Sequence, residues 1–198
     1  MSLDAGKTAL LIVHLQHDIV ADGSPFGVLF HPEYAARHVA EQVNRAATAL
    51  RDRGGSVIAL RIAFRPGYGD LIPSIPLLAM AQQAEALVDG TPGAELVPEL
   101  TRDKQDAVVT HQRPGPFTGS ELNELLQQRG IEDVVVCGVA TNASVEAAVR
   151  QASDLGYRTV VLSDATSAGD TAAHEASLAS QGLFARVITV AEFTGEFA

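Results

Sequence analysis

The sequence predicts an α/β protein in which a six-stranded, mostly parallel sheet lies between two layers of helices. Two patterns predict this class. Six short apolar runs recur along the 198 residues, and segments with helical spacing of apolar residues separate most of them. Strands that alternate with helices form parallel sheets covered on both faces. The hydrophobic fraction of 46% and the charged fraction of 19% are ordinary for a globular protein.

The predicted strands are short, continuous apolar runs, which are typical of strands buried on both faces of a sheet. They cover residues 8–13, 57–64, 107–110, 134–139, 159–162 and 187–190. In parallel sheets of this kind, functional side chains collect just after the carboxyl ends of the strands. The residues that follow the first four strands are therefore the candidates for a site.

Four segments have the apolar spacing of helices: residues 32–53, the segment from Thr118 to Gly130, residues 142–155 and residues 171–184. Gly54 and Gly55 end the first of them, because glycine is common at helix C-termini. Thr118 lies three residues before Glu121, which is the spacing of a capping box at the start of the second.

Residues 65–98 interrupt this alternation with five prolines, several glycines and an apolar stretch at 71–80. Long loops in compact domains are usually lids or binding loops. An apolar stretch of this kind also fits a subunit interface. Both interpretations remain open, and we expect a homo-oligomer, a dimer or a tetramer.

Composition excludes several classes of protein. The formal net charge is −10, so the chain lacks the basic surface that binding to nucleic acids or anionic membranes requires. Proteins of these two classes are therefore not expected. Cys137 is the only cysteine, which excludes disulfide scaffolds and Cys-rich zinc sites. No apolar run approaches the roughly 18 residues of a membrane span, and the first residues do not resemble a signal peptide. We expect a cytoplasmic protein with one domain over residues 1–198.

Three strand ends carry chemically useful side chains, although the motifs of dinucleotide, nucleoside triphosphate and GxSxG sites are missing. His14 follows the first strand within His14-Leu15-Gln16-His17-Asp18. His111 follows the third strand and Arg113 lies two residues further on. The fourth strand leads into Gly138-Val139-Ala140-Thr141-Asn142-Ala143-Ser144.

These motifs resemble the isochorismatase-like hydrolase superfamily, also called the cysteine hydrolases, over nearly the whole chain. ALLIVHLQHDIV is similar to the opening strand of that family, and DGTPGAELVPEL is similar to its mid-chain loop. The long stretch from FTGSELNELL to TVVLSDAT is similar to the nucleophile region and the elements after it. The resemblance implies a three-layer α/β/α, Rossmann-like fold with six strands and the activity of a hydrolase.

The resemblance also implies that all three catalytic positions of the family amidases are replaced. His14 stands at the position of the aspartate, His111 at that of the lysine, and Ser144 at that of the cysteine. A serine at a helix start needs a general base, and a neutral imidazole is the usual one. No carboxylate is evident that would orient either histidine, since Asp18 belongs to the opening motif.

Three functions follow from these residues. The first is hydrolysis of a small amide, imide or ester by Ser144 with help from histidine. The second is non-covalent acid–base catalysis of the isochorismatase type, with His14 or His111 as the acid. The third is a catalytically silent relative that binds a small molecule or a partner protein. We rank the hydrolase first because long motifs carry the fold and the pocket, and His and Ser, as reactive replacements, weigh against a silent relative.

The resemblance implies further roles around the pocket. The turn at Val139, Ala140, Thr141 and Ala143 is expected to contain a cis peptide between the first two residues and to supply backbone N–H groups for an oxyanion. Arg65 and Arg113 are expected to anchor an anionic substrate, and Phe117 is expected to contact the substrate as well. For the two arginines, surface or structural ion pairs are an equal alternative.

No cofactor and no metal are expected. His14, His17 and His111 have suitable donor atoms for zinc, but their spacing is not that of a metal motif. Cys137 lies inside the fourth strand, which favours a core residue. The remaining histidines are expected to be packing or surface groups: His31, His38 and His174.

Overall fold

A computed structural model describes residues 3–197 and contains one six-stranded parallel sheet. The strands are β1 (Thr8–Val13), β2 (Ser56–Ile62), β3 (Ala107–His111), β4 (Asp133–Val139), β5 (Arg158–Ser167) and β6 (Arg186–Ile188). They lie in the order β3-β2-β1-β4-β5-β6, so that β1 and β4 occupy the centre. The predicted fold class is therefore confirmed, with six strands that overlap the six predicted runs.

Helices cover both faces of the sheet. They are α1 (His17–Val20), α2 (Gly27–Ala36), α3 (Val39–Arg51), α4 (Pro76–Gln83), α5 (Leu122–Gln128), α6 (Glu146–Asp154), α7 (Thr171–Gln181) and α8 (Val190–Gly195). Side chains of a strand alternate between the faces, and β1 shows this directly. Leu10 and Ile12 pack in the core on the side of α3 and α8, whereas Leu11 and Val13 pack against α5 and α6.

Three local predictions were wrong. The segment 32–53 is not one helix, because His38 has a left-handed backbone (φ 52°) that separates α2 from α3. The predicted capping box does not form, since Thr118 accepts a hydrogen bond from Gln151 and α5 has no side-chain cap. The last strand ends at Ile188, and a capping box formed by Thr189 starts α8 there.

The proline-rich segment 65–98 contains α4, which sequence analysis treated as loop. Proline begins this helix at its first position, where a missing N–H costs no hydrogen bond. Leu78 and Ala81 of α4 are buried, while Ile72 and Met80 are exposed. Within residues 3–197 no helix is long and apolar enough to cross a bilayer.

The centre of the sheet depends on a close approach between β1 and β4. Gly138 pairs with Val13 and has a φ of +110°, and a Cβ atom at this position would lie 2.1 Å from the carbonyl oxygen of Val13. Contacts this short cannot be relieved without moving one strand. The glycine therefore fixes the distance between the two strand ends that carry the candidate site.

We expect Gly138→Ala to reduce the free energy of unfolding by about 3 kcal/mol or more, because it adds a clash to an unfavourable φ. Gly119→Ala is the matched control: Gly119 also has a positive φ, but nothing lies within 4 Å of its added Cβ. It should cost only about 1 kcal/mol. Urea unfolding of both variants measures the difference, and equal losses would contradict the role of the close approach.

Candidate active site

His14 is the first residue after β1 and points into the carboxyl-end side of the sheet. Its backbone is left-handed (φ 53°), and its N–H donates to the carbonyl of Leu60 on β2. Non-glycine residues with positive φ are uncommon, and histidine tolerates this conformation better than most. The turn brings the imidazole of His14, which is 4% exposed, across the end of β2 towards β3.

The His14 ring meets His111, the last residue of β3. The two Nε2 atoms lie 3.0 Å apart and the rings are stacked with centroids 4.9 Å apart. His111 Nδ1 lies 2.8 Å from the carbonyl oxygen of Arg113, which can only accept. His111 therefore carries its proton on Nδ1, and its Nε2 accepts a hydrogen bond from His14 Nε2–H. This leaves the lone pair of a neutral His14 on Nδ1.

Both histidines are neutral at pH 7. Burial holds the pKa of His14 well below its usual range, and the neighbouring His111 lowers it further. Burial likewise lowers the pKa of His111 to about 4, although the carbonyl of Arg113 opposes this. A charged imidazole loses its hydration in such a place, so the neutral form is favoured. The pair is a polar contact without net charge.

Ser144 lies at the turn between β4 and α6. The Val139–Ala140 peptide is cis, as the resemblance implies, and residues Thr141–Val145 form a π-helical turn that continues into α6. Ser144 is 4% exposed. Its hydroxyl makes no hydrogen bond to any other part of residues 3–197. The N–H of Ala143 bonds to the carbonyl of Ala140, so that amide is not free for an oxyanion.

A small cavity of about 40 Å³ joins His14 to Ser144. Val139, Ala140 and Ala143 of the β4–α6 turn line it beside Ser144. Its other walls come from α1, α2, β2, α4 and the loops around them: Ile19, Phe26, Phe30, Ile62, Leu78 and Leu87 among others. A wider, open depression of about 820 Å³ runs along α3, but none of the strand-end residues lines it. The chemistry therefore belongs to the smaller cavity.

Most of the residues that line the cavity were not predicted from the sequence. Apolar residues in short helices have no signal that distinguishes a cavity lining from a core. The exceptions are Val139, Ala140 and Ala143 of the turn, which were predicted at the pocket, and Leu77 and Leu78 of the apolar stretch at 71–80.

Several residues expected at the site lie elsewhere. Arg65 is an exposed side chain 4.0 Å from Asp70, and Arg113 donates to the backbone carbonyls of Asp70 and Gln112. Phe117 packs against Tyr157 on the other side of the sheet. None of the three predicted substrate contacts lines the cavity. Each sits on a loop whose course the spacing of residues did not determine.

Residues of the opening motif hold loops in place. The carboxylate of Asp18 accepts a hydrogen bond from the N–H of Leu87 (2.7 Å), next to the cavity wall. Gln16 is fully buried and bonds to the backbone of Ile62 and Ala94. His17 is exposed at the start of α1. No group of three or more potential metal ligands occurs among residues 3–197.

Thr141 belongs to a polar network behind the turn and not to the cavity. Its Oγ1 lies 2.8 Å from Nδ1 of the buried His174 on α7, and Gln181 Nε2 donates to its carbonyl (3.1 Å). Ser177 donates to the carboxylate of Glu146 at the start of α6. The network ties α7 to the turn that carries Ser144. His174 is thus a structural residue, and no sequence pattern indicated its partner.

Fold and site together define a Rossmann-like α/β protein with its reactive side chains at the carboxyl ends of β1, β3 and β4. The isochorismatase domain model matches residues 8–192. An uncharacterized isochorismatase family protein of Bacillus subtilis, YwoC, is 33% identical over 178 residues, which cover 90% of this chain and 87% of YwoC.

A ureidoacrylate amidohydrolase of Stutzerimonas stutzeri, RutB, is 31% identical over 212 residues, covering 100% of this chain and 86% of RutB. The crystal structure of an isochorismatase family protein from Desulfovibrio vulgaris superposes with a TM-score of 0.86 at 23% identity, covering 96% and 98% of the two chains. The chain belongs to the isochorismatase family and is an isochorismatase-family hydrolase.

The neutral histidine pair predicts a loss of stability in acid. In the unfolded chain His111 has its ordinary pKa of 6.5, and in the folded protein about 4. Between these values the unfolded chain binds the extra proton, so folding weakens as pH falls. We expect His111 alone to remove about 2 kcal/mol of the free energy of unfolding between pH 7.5 and pH 5.

Urea unfolding at the two pH values measures this loss. His111→Gln keeps an acceptor for His14 but cannot titrate, so its loss should be smaller by about 2 kcal/mol. His17→Gln, which replaces an exposed histidine, is the control and should behave like the wild type. Equal pH dependence of all three proteins would contradict a buried, neutral pair.

Proposed function

We propose that the protein hydrolyses a small ester, amide or imide with Ser144 as nucleophile and His14 as general base. The observation that carries this is the hydrogen-bond chain from the carbonyl of Arg113 through His111 to His14. It fixes the tautomer of His14 and leaves the basic Nδ1 without a partner among the described residues. His111 thereby takes the orienting role for which the sequence offered no carboxylate.

The reaction has two steps. Ser144 Oγ attacks the substrate carbonyl while its proton passes to His14 Nδ1, and the leaving alcohol or amine takes this proton as its bond to the acyl carbon breaks. Water then attacks the acyl-serine, gives a proton to His14, and releases the carboxylic acid as Ser144 Oγ regains a proton. The oxyanion would be held in both steps by backbone N–H groups of the cis turn other than those of Ala143 and Val145, which bond to the carbonyl of Ala140.

The charge state of the pair weighs against acid–base catalysis of the isochorismatase type. That chemistry needs a protonated group to donate to the substrate, and both histidines have pKa values far below neutrality. A neutral imidazole with a free lone pair is a base. RutB, named as an amidohydrolase, supports C–N bond hydrolysis, although its substrate does not follow for this chain.

A binding protein without turnover is the second candidate. It is favoured by the hydroxyl of Ser144, which is not hydrogen-bonded to His14 in this structure. Catalytic hydrogen bonds often tighten only when the substrate is present. The choice therefore rests on the reactivity of Ser144, which can be measured without knowing the substrate.

We expect a fluorophosphonate probe to add once to the wild type at Ser144, because an activated serine forms a phosphonyl ester. Intact mass and peptide mapping locate the adduct. Ser144→Ala should show none, whereas Ser153→Ala, at the far end of α6, should label like the wild type. Absence of an adduct on the folded wild type would contradict the nucleophilic role and favour the binding protein.

We expect His111→Leu to lower kcat of a hydrolysed substrate by at least about a hundredfold with KM nearly unchanged, because His14 loses the acceptor that fixes its tautomer. His111→Gln offers an oxygen acceptor and should restore part of this loss. A merely structural role would instead change stability and KM without rescue by Gln. Equal kcat for Leu and Gln variants would remove His111 from the mechanism as a positioning residue.

A further inference from the structure

The walls of the cavity restrict the acyl group that can reach Ser144. Apart from His14 and Ser144, every residue that lines it is apolar. Five of them show the character of the wall: Phe26, Phe30, Ile62, Leu77 and Leu78. Transfer of a carboxylate or an ammonium group into such surroundings is strongly unfavourable unless a partner charge is present.

No partner charge lines the cavity within the described residues, because the nearby charged side chains are engaged elsewhere. The guanidinium of Arg113 donates to backbone carbonyls, and Asp18 binds the N–H of Leu87. Arg61 pairs with Asp89 and Glu95. His14, which does face the cavity, is neutral.

The size of the cavity limits the length of the acyl chain. A volume of about 40 Å³ is far below the roughly 300–1,000 Å³ of sites that take drug-sized ligands. One part of the wall is the β4–α6 turn, with Val139 and Ala140. Another part is α4, with Leu77 and Leu78.

We propose that the cavity is an acyl site for uncharged, short-chain acyl groups. This inference rests on the proposed function, since Ser144 must meet the carbonyl carbon of the same substrate. It also separates this chain from a substrate such as ureidoacrylate, the name of which denotes a carboxylate. The leaving alcohol or amine extends towards the opening.

Four p-nitrophenyl esters test the site: acetate, butyrate, octanoate and the hydrogen succinate, whose acyl chain matches butyrate in length but ends in a carboxylate. We expect kcat/KM for butyrate to exceed that for the succinate by at least about a hundredfold. Octanoate should fall at least about tenfold below butyrate, because its chain is too long for so small a cavity. Equal rates for butyrate and succinate would overturn the proposal.

A change in the wall tests the length limit directly. Leu77→Ala, on the half-buried side of α4, should raise the octanoate-to-butyrate ratio of kcat/KM about tenfold by lengthening the cavity. Met80→Ala is the control, since Met80 is 43% exposed on the same helix and does not line the cavity. An unchanged ratio in folded Leu77→Ala would show that α4 does not limit the chain.

A binding measurement separates this inference from the proposed function. Butyramide should raise the Tm of Ser144→Ala, whereas succinamate at equal concentration should not. If the fluorophosphonate fails to label the wild type but butyramide alone stabilises, the nucleophile is wrong and the uncharged site stands. If Ser144 is labelled but succinamate binds as well as butyramide, the acyl site is wrong. Stabilisation by neither amide also overturns it.

Discussion

The close approach of β1 and β4 is the constraint on which the site depends. Gly138 lies against the backbone of Val13, and only a residue without Cβ permits this distance. The approach brings the residue after β1 beside the turn after β4. His14 then reaches across the end of β2 to His111, while the turn presents Ser144 to the same cavity. One backbone contact in the sheet thus sets the position of both reactive groups.

The histidine pair is stable in this position because each polar atom but one has a partner. The Arg113 carbonyl accepts from His111, and His111 accepts from His14. In a buried ion pair the attraction must offset the desolvation of two charges, whereas the neutral pair avoids that cost near neutral pH. The cost reappears in acid, where a protonated ring is a buried charge. The rings whose protonation lowers the stability in acid are therefore the same rings that the proposed reaction uses.

The sequence predicted the sheet because buried parallel strands read as continuous apolar runs, and it predicted the site positions because strand ends converge. The break at His38 was not predictable, since a left-handed histidine leaves the apolar spacing of α2 and α3 in phase. The acceptor for His111 was missed because it is a backbone carbonyl. Every residue has such a group, so the residue type gives no indication of it. Arg65 and Phe117 were misplaced for a related reason, because the direction of a loop depends on contacts distant in sequence.

Nδ1 of His14, the one polar atom of the pair without a partner, links the proposed nucleophile Ser144 to the proposed site for an uncharged acyl group. His14 lines an otherwise apolar cavity, and no group within residues 3–197 donates to its Nδ1. Ser144 carries the only side-chain donor that lines the cavity with it among residues 3–197. The contact that would satisfy His14 is therefore the contact that would activate Ser144. An uncharged acyl group keeps water away from it, whereas a charged one would bring its hydration with it and compete for the same lone pair.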